Sequence, residues 1–351
     1  LVTSALYRDV SAWYHIVVAV DTTQSTSSNR VKIYINGEQI SVFDTANYLP
    51  QNTDTDINTT NAHYIGRYSY SASNYMNGSM SHIHFIDGTQ YAASDFGSTD
   101  ATTGEWKINT NPNVTYGTNG FFILKDGNSV TDQSPNTNNF TVASGTLTKT
   151  EDSPSNIFAT WNALNSNVTT LSNGNTTVTG TATDNGVTST LGFSKGKWYW
   201  ECKYSTVASG VPVMGILAEK STHPISSNRT TTSGSGFWGI FNITSGNIGI
   251  QENGAHSSGY IDSLYTNGDI AMFAVDADAN KIWYGKNGTW FGSGNPTNGT
   301  NASSDNLTAD TTWFCYLEAR NGSDVPQMNW GNGYFGTTAV SSNSGNGYSA
   351  T

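Results

Sequence analysis

The stretch Gly196–Tyr204, with the sequence GKWYWECKY, decides the fold of the second half of this chain. Bulky aromatic side chains fill a short run that starts at a glycine, which is typical of a β-strand. Two later stretches have the same character, Asp269–Gly288 (DIAMFAVDADANKIWYGKNG) and Trp313–Gly331 (WFCYLEARNGSDVPQMNWG). The earlier of these two predicts a hairpin followed by the tight turn Asn287-Gly288, and the whole region is therefore predicted to be built from strands.

The composition supports the same interpretation for the entire chain of 351 residues, a length that suggests two or three domains. Charged residues make up 12%, about half of the usual quarter, while aromatic residues make up 12%. The remainder is rich in Asn, Ser, Thr and Gly. The chain is therefore expected to fold around aromatic cores and to present a surface of amides and hydroxyls, and few stretches have a helical apolar period.

The charge balance excludes several classes of partner. The net charge is −11, and no Lys/Arg cluster occurs, which argues against binding nucleic acid or anionic lipid. No apolar run approaches about 18 residues, so membrane insertion is not expected. The chain begins at Leu1 inside a strand-like stretch and shows no leader, which predicts that it is part of a longer product.

The first half of the chain also indicates short strands. Ala12–Val20 is rich in β-branched residues, and Arg30–Ile40 (RVKIYINGEQI) predicts a hairpin around the turn Asn36-Gly37. Asn119–Lys125 (NGFFILK) predicts one further strand. The only cysteines, Cys202 and Cys315, have apolar neighbours two residues away and are predicted to be buried thiols, although two cysteines alone leave their pairing open.

These motifs resemble two known domain families. In the second half, the Gly-Lys-x-Tyr-Trp-Glu strand, the D-x-D hairpin and a last strand ending in Asn-Trp-Gly resemble an SPRY domain, a β-sandwich binding module. In the first half, W-Y-H-I-V-x-x-V-D, V-K-I-Y-I-N-G, Y-I-G-R and M-N-G-x-M-S-H-I-H-F-I-D-G resemble the later part of a concanavalin-like laminin-G domain. The resemblance implies an all-β chain of two tandem antiparallel β-sandwiches. The expected bounds are 1–97 for the laminin-G-like sandwich without its front part, 98–155 for a bridge with that sandwich's last strand, and 156–351 for the SPRY-like sandwich and its Ser/Asn/Gly-rich tail.

No set of residues predicts catalysis. Gly331–Gly336 (GNGYFG) matches a dinucleotide fingerprint, but no helix pattern follows it. Gly192–Gly196 (GFSKG) precedes a strand, whereas a nucleophile elbow must precede a helix. The E-x-D-x-x-E strand of concanavalin-fold glycosidases is absent, and the acidic residues are scattered; Glu201 is predicted to be structural. The chain is therefore expected not to be an enzyme.

No cofactor is expected, with calcium as the alternative. Laminin-G-like domains hold calcium through Asp and Asn at a sheet edge, which makes Asp54 and Asp56 the candidate ligands. His82 and His84 share one face of a strand and could bind a metal with a third ligand such as His63. Their alternation with Ile83 and Phe85 instead predicts a solvated or hydrogen-bonded pair opposite the apolar face.

Aromatic residues in Asn- and Gly-rich loops are the candidates for ligand binding. Sugars stack their C–H faces on aromatic rings, and amide side chains bond to their hydroxyls. The candidates are Tyr68, Tyr70, Tyr75, Trp238, Trp290 and Tyr334. The resemblance to SPRY domains adds the rim loops Ser221–Gly236 and Trp290–Thr300 as expected partner-binding segments.

A further resemblance concerns the whole chain. The segments Phe96–Gly104 (FGSTDATTG), Tyr116–Phe122 (YGTNGFF) and Asn156–Leu164 (NIFATWNAL) resemble structural proteins of tailed, especially marine, bacteriophages, in which the two domain types follow in this order. The resemblance implies a tail-fibre or capsid-fibre protein at the virion surface, outside the cell. Its expected partners are other virion proteins, host-surface polysaccharide and further copies of itself, with a trimer as one form. A structural or capsid-decorating role without ligand and a secreted carbohydrate-binding module are the alternatives.

Overall fold

The computed structural model describes residues 1–9, 12–68, 74–76, 78–125, 129–147, 152–154, 157–167, 170–180, 185–207, 213–219, 234–242, 248–261, 264–319 and 324–340. The chain divides into two compact units, Leu1–Lys149 and Thr150–Thr351. Throughout the described ranges the regular structure is strand, apart from three short 3₁₀ turns at Ser27–Asn29, Ala93–Asp95 and Phe291–Ser293. The predicted all-β, antiparallel fold class is confirmed. The described residues contain no helix of the length and apolarity needed to cross a membrane.

The first unit is built from short antiparallel pairings. Its strands are β1 (Val2–Thr3), β2 (Ile16–Val20), β3 (Val31–Ile35), β4 (Glu38–Gln39), β5 (Phe43–Thr45), β6 (Ile83–Phe85), β7 (Gly97–Thr99), β8 (Trp106–Ile108) and β9 (Phe121–Ile123). A three-stranded sheet has the order β2-β3-β4, and the remaining strands pair as β1 with β5, β6 with β9 and β7 with β8. The bounds predicted for the bridge and the two sandwiches remain predictions. Residues 98–149, which make up most of the predicted bridge, are part of the first compact unit.

The hairpin of β3 and β4 forms as its turn sequence predicts. Tyr34 lies opposite Gln39, and Ile35 lies opposite Glu38. Asn36 and Gly37 both have positive φ, 49° and 85°, as a tight two-residue hairpin turn requires. This turn chemistry fixes the register of the two strands before any tertiary contact is made.

The second unit is a sandwich of two seven-stranded sheets. Its strands are β10 (Trp161–Ser166), β11 (Thr170–Ser172), β12 (Thr177–Thr179), β13 (Asn185–Phe193), β14 (Lys197–Thr206), β15 (Val213–Ala218), β16 (Phe237–Asn242), β17 (Ile248–Glu252), β18 (Ala255–Ile261), β19 (Ile270–Asp276), β20 (Lys281–Lys286), β21 (Thr289–Trp290), β22 (Trp313–Ala319), β23 (Val325–Asn329), β24 (Tyr334–Phe335) and β25 (Thr338–Ala339). One sheet has the order β10-β13-β22-β15-β16-β17-β18, the other β11-β12-β23-β14-β19-β20-β21, and β24 pairs with β25.

The core of this sandwich lies between the two sheets. Alternate residues of β14, Trp200, Cys202 and Tyr204, point into it, and Cys315 and Leu317 of β22 enter it from the opposite sheet. All five side chains are buried. Because each fully buried apolar side chain contributes about 1.5–3 kcal/mol, this shared layer is the main source of the unit's stability.

Both cysteines are free, buried thiols, as predicted. Burial raises the pKa of Cys202 and raises that of Cys315 to about 12. The indole N–H of Trp330 donates to Cys315 Sγ at 3.3 Å. The thiolate is the reactive form of cysteine, so neither side chain is suited to act as a nucleophile at neutral pH.

The outer face of the β14 sheet is covered as well. Glu201 of β14 lies opposite Asn329 of β23, and the two side chains are 1% and 0% exposed. The Tyr199 hydroxyl donates to Glu201 Oε1 at 2.5 Å. A buried carboxylate needs such donors to compensate for its lost hydration, and Glu201 belongs to the packed framework of the sandwich.

Candidate functional site

The structure separates the six candidate aromatic residues by exposure. Trp238 is the clear correction, because its ring is only 3% exposed and belongs to the sandwich core. Its indole N–H donates to Asn306 Oδ1 at 2.9 Å, and its ring packs edge-on against Trp313 at 5.2 Å. A side chain with its face and its donor both engaged in the core does not present a surface for a ligand.

The other candidates of the second unit are half-buried. Trp290 ends β21 and packs edge-on against Tyr199 with a centroid distance of 6.0 Å. Tyr334 pairs with Ala339 in the short hairpin of β24 and β25. Most of the rim loop 221–236 lies outside the described residues.

The tyrosines of the first unit are the exposed ones. Tyr68 and Tyr75 are each 56% exposed, and Tyr70 lies outside the described residues. Tyr68 N–H donates to Asn74 O at 3.0 Å, and Met76 N–H donates to Gly66 O at 2.9 Å. These two bonds form the stem of a hairpin, which the sequence predicted only as a loop.

An open groove of about 500 Å³ lies beside this stem. Its polar lining residues are Asp56, Asn61, His63 and Arg67. Its apolar and aromatic lining residues are Ile57, Ala62, Tyr64 and Tyr68. Tyr68 is thus part of the groove, whereas Tyr75, equally exposed on the other strand of the stem, does not line it. This open surface combines aromatic faces with polar groups.

Sequence reasoning missed Tyr64, His63 and Arg67 as members of this groove. All three belong to the stretch H-Y-I-G-R, of which Y-I-G-R contributed only to the resemblance to laminin-G domains. The available signal was the position of this stretch between two Asn- and Gly-rich segments, where aromatic side chains are more exposed than in a central strand.

A hydrogen-bond network anchors the groove to the pair of β6 and β9. Asn58 Nδ2 donates to Asp87 Oδ1 at 2.8 Å, just beyond the end of β6. Asn119, which precedes β9, donates from its backbone N–H to Asp87 Oδ2 at 3.1 Å and from Nδ2 to Asn58 Oδ1 at 2.9 Å. Residues 56–64 are called the groove loop here. The carboxylate of Asp87 therefore connects this loop to the ends of both strands, β6 and β9.

The imidazole of His63 makes two hydrogen bonds within the loop of residues 58–63. Its Nδ1 lies 2.6 Å from the carbonyl oxygen of Asn61, and its Nε2 accepts the backbone N–H of Asn58 at 3.2 Å. Since a carbonyl oxygen can only accept, Nδ1 carries the hydrogen and Nε2 the lone pair. The imidazole thus acts as a clamp across residues 58–63 and is not oriented as a metal ligand.

The network gives a first prediction. Replacing Asp87 with alanine should lower the free energy of unfolding of the first unit by about 1–3 kcal/mol, because two donors lose a charged acceptor. Hydrogen exchange of the amides of residues 56–64 should accelerate at the same time. Asp54→Ala, which removes an exposed carboxylate from the same loop region, is the matched control and should leave both quantities unchanged. Equal exchange rates in the two variants would contradict the anchoring role.

The candidate metal ligands do not come together. Asp54 and Asp56 are both exposed, and the described residues contain no group of three His, Cys, Asp or Glu side chains that could hold a metal ion. Asp56 lines the groove, and His63 bonds to Asn58 and Asn61, so the proposed third ligand for His82 and His84 is engaged elsewhere.

The predicted position of His84 is wrong. Instead of lying opposite the apolar face, its ring stacks on Phe122 at a centroid distance of 3.9 Å and contacts Phe96 at 5.5 Å. Phe122 and Phe96 are 4% and 8% exposed, so this is the buried side of the pair of β6 and β9. His84 Nδ1 lies 2.9 Å from the hydroxyl of Tyr116, and burial is the main cause that lowers the pKa of His84 to about 4.

Comparisons with known proteins give one family match and similarities to solved structures. Residues 2–94 match the family model Laminin_G_3, described as the concanavalin A-like lectin/glucanases superfamily. No curated protein matches the chain in sequence. The chain is similar to two solved structures, the SPRY domain of human HERC1 (16% identity, 48% of this chain and 96% of that chain, TM-score 0.37) and the PSpry domain of TRIM65 (11% identity, 49% of this chain and 91% of that chain, TM-score 0.36).

At the level of protein class, the match over residues 2–94 and the sandwich of the second unit indicate a binding or interaction module. The groove of the first unit is the feature of the described surface that best suits such a role.

Proposed function

We propose that this chain is a non-enzymatic adhesion protein whose first unit binds glycan in the groove beside Tyr68. The observation that carries the proposal is the pairing of two exposed tyrosines, Tyr64 and Tyr68, with amide and carboxylate groups on one concave surface. A sugar ring has apolar C–H faces and a rim of hydroxyls. Aromatic faces and polar side chains match these two features.

The anchoring of the groove supports the same proposal. A ligand loses less binding free energy to ordering when the side chains it meets are already held in place. The network of Asn58, Asp87 and Asn119 holds the groove loop against the pair of β6 and β9 before any ligand arrives. A preformed site suits repeated contacts along a polymer. The overall binding becomes stronger when several copies of the chain bind the same polymer together.

The wider role that we propose is display on a virion surface, as part of a tail fibre or capsid fibre of a bacteriophage. The order of a laminin-G-like domain followed by an SPRY-like domain supports this role. The low charge and the amide-rich surface suit an extracellular protein. The proposed partners are other virion proteins, host-surface polysaccharide and further copies of the chain. The exposed side chains of Ile16 and Val18 on the edge strand β2 support self-association.

The test is binding of the labelled chain to intact candidate host cells before and after periodate oxidation of surface sugars. Binding should fall after oxidation. Tyr68→Ala should weaken binding about tenfold, since an aromatic contact contributes roughly 0.5–1.5 kcal/mol beyond its buried area. Tyr75→Ala is the matched control, because Tyr75 has the same exposure of 56% on the same hairpin but lies outside the groove.

Two results would contradict the proposal. Equal losses in the Tyr68 and Tyr75 variants would exclude the groove as the binding surface. A folded chain that binds no host cell but sediments as an oligomer would instead support a structural or capsid-decorating role.

A further inference from the structure

Arg67 is the positively charged side chain that lines the groove. Its guanidinium lies 4.2 Å from the centroid of the Tyr64 ring. Its Nε is buried, and within the described part of the chain this N–H has no hydrogen-bond partner. No carboxylate of the described residues forms an ion pair with it, although acidic residues outnumber basic ones by 26 to 15 in the sequence.

Arg30, in the same unit, shows how this chain uses an arginine for structure. Its Nε donates to Gln24 O at 2.8 Å, and its two terminal nitrogens donate to Leu49 O and Ser25 O, each at 2.9 Å. Three backbone carbonyls thus engage every nitrogen of this guanidinium. Arg67 lacks this kind of support, so a structural role does not account for its place on the wall of an open groove.

The chemistry of the guanidinium group indicates what would complete the site. A planar guanidinium binds a carboxylate through two parallel N–H···O bonds, which are stronger than bonds between neutral groups. The Tyr64 ring contacts the group at 4.2 Å, a cation–π distance. A buried N–H without a partner also raises the free energy of the empty site, and an anionic oxygen would remove this cost.

The second charge on the groove wall limits the kind of anion. The Asp56 carboxylate lines the same groove, and the chain as a whole carries a net charge of −11. Both would repel a densely sulfated polymer. A polymer with at most one carboxylate per sugar, flanked by hydroxyls that Asp56 and Asn61 can bind, meets less of that repulsion.

We propose that Arg67 and Tyr64 form a carboxylate-binding subsite, and that the glycan recognised by the groove contains hexuronate residues. This inference rests on the proposed glycan-binding function and specifies its ligand class. The ring of the uronate packs against Tyr68 or Tyr64, and its carboxylate accepts the N–H groups of Arg67.

The experiment compares acidic polysaccharides with the same polymers after chemical reduction of their carboxyl groups to alcohols. Oligosaccharides of alginate, polygalacturonate and hyaluronate are titrated into the full chain, and binding is followed by calorimetry. We expect at least one acidic form to bind about tenfold or more tightly than its reduced form, as is typical of hydrogen bonds to charged groups. This preference should weaken as salt is raised, because the site is open to solvent.

Variants then test the assignment to Arg67. Arg67→Met keeps the length of the side chain and should abolish the preference for the acidic form. Arg67→Lys keeps the charge but not the planar pair of donors, and it should retain only part of the preference. Arg8→Met removes the same charge from an exposed position of the same unit that does not line the groove, and it should behave as wild type. A thermal melt of each variant shows whether the fold is intact.

The possible results separate this inference from the proposed function. If acidic and reduced forms bind equally well in a Tyr68-dependent manner, the carboxylate subsite is overturned while glycan binding stands. If Arg67→Met and Arg67→Lys both keep the full preference, the assignment to Arg67 is overturned. If neither form of any of the three polymers binds, the proposal of a uronate ligand is overturned, and the cell-binding experiment decides separately whether another glycan is bound.

Discussion

Replacing Trp200 with alanine is expected to lower the free energy of unfolding of the second unit by about 3–5 kcal/mol, the usual cost of deleting a large aromatic side chain from a core. Trp200 is 2% exposed and lies in the layer between the two sheets. Its ring stacks on Phe273 at 5.4 Å with an interplanar angle of 2°, and it contacts Phe193 at 6.2 Å. The deletion leaves a cavity that two sheets fixed by hydrogen bonds cannot close.

Trp200→Phe is the matched control, and it should cost much less. A phenyl ring keeps the stacking on Phe273. It also removes an indole N–H that, among the described residues, has no hydrogen-bond partner, which offsets part of the lost packing. Urea unfolding followed by tryptophan fluorescence suits this unit, because only Trp13 and Trp106 of the ten tryptophans lie in the first unit. A loss below about 1 kcal/mol for Trp200→Ala would contradict the packing described for this core.

The second large effect concerns acid. We expect the first unit to lose up to about 3 kcal/mol of stability as the pH falls from 6.5 to 4, since one pKa unit corresponds to about 1.4 kcal/mol. Burial beside Phe122 is the main cause that lowers the pKa of His84 to about 4, and the nearby charges of His82, His15 and Lys125 act in the same direction. Protonation would also remove the lone pair of Nδ1 that can accept the Tyr116 hydroxyl at 2.9 Å.

The direction of this effect follows from which state binds the proton. Above the ordinary histidine pKa of about 6.5, neither state carries it, and His84 contributes its full share of stability. Between 6.5 and 4 the unfolded chain takes up a proton that the folded unit refuses, so stability falls with pH. Below about 4 both states are protonated, and no further loss comes from this residue. Burial also lowers the pKa of His15, which adds to the loss in the same direction.

Unfolding of the first unit at pH 7 and pH 4.5 tests this prediction. His84→Phe should remove most of the difference between the two pH values, since a phenyl ring fits the aromatic cluster and does not titrate. Tyr75→Ala removes an exposed aromatic ring from the same unit and should keep the difference. Carboxylates with lowered pKa values, such as Asp132 and Asp21, lose most of their contribution below their ordinary value of 3.8, so they change the stability little between pH 7 and pH 4.5. A wild-type difference equal to that of His84→Phe would contradict the assignment.

Local sequence chemistry predicted the parts of the fold that depend on neighbours in the chain. The turn Asn36-Gly37 lies between paired strands, and Asn287 and Gly288 both have positive φ at the end of β20. The aromatic run of β14 is a strand of ten residues, and Cys202 is buried within it as a free thiol. Each of these predictions rests on steric preference or period-two alternation, which short segments carry in themselves.

The site was predicted only in part, because exposure is not a property of a residue's sequence neighbours. Tyr68 lines the groove, as its loop composition indicated, but the groove also needs Tyr64 and Arg67, which belong to a strand-like stretch. Trp238 has a similar run of aromatic and glycine neighbours, yet it lies in the core because a second sheet covers its ring.

His84 shows which features the sequence pattern predicts and which depend on the tertiary structure. Alternation along Ile83–Phe85 determined by itself that His84 and Ile83 lie on opposite faces of β6, and this is a consequence of the strand's pleat. It did not determine what covers each face. Phe96 and Tyr116, distant in sequence, cover the face of the histidine. The sequence thus determined the strands, the turns and which residues share one face of a strand. Long-range packing decided which faces are buried, which aromatic rings are exposed and which charged groups have no hydrogen-bond partner among the described residues.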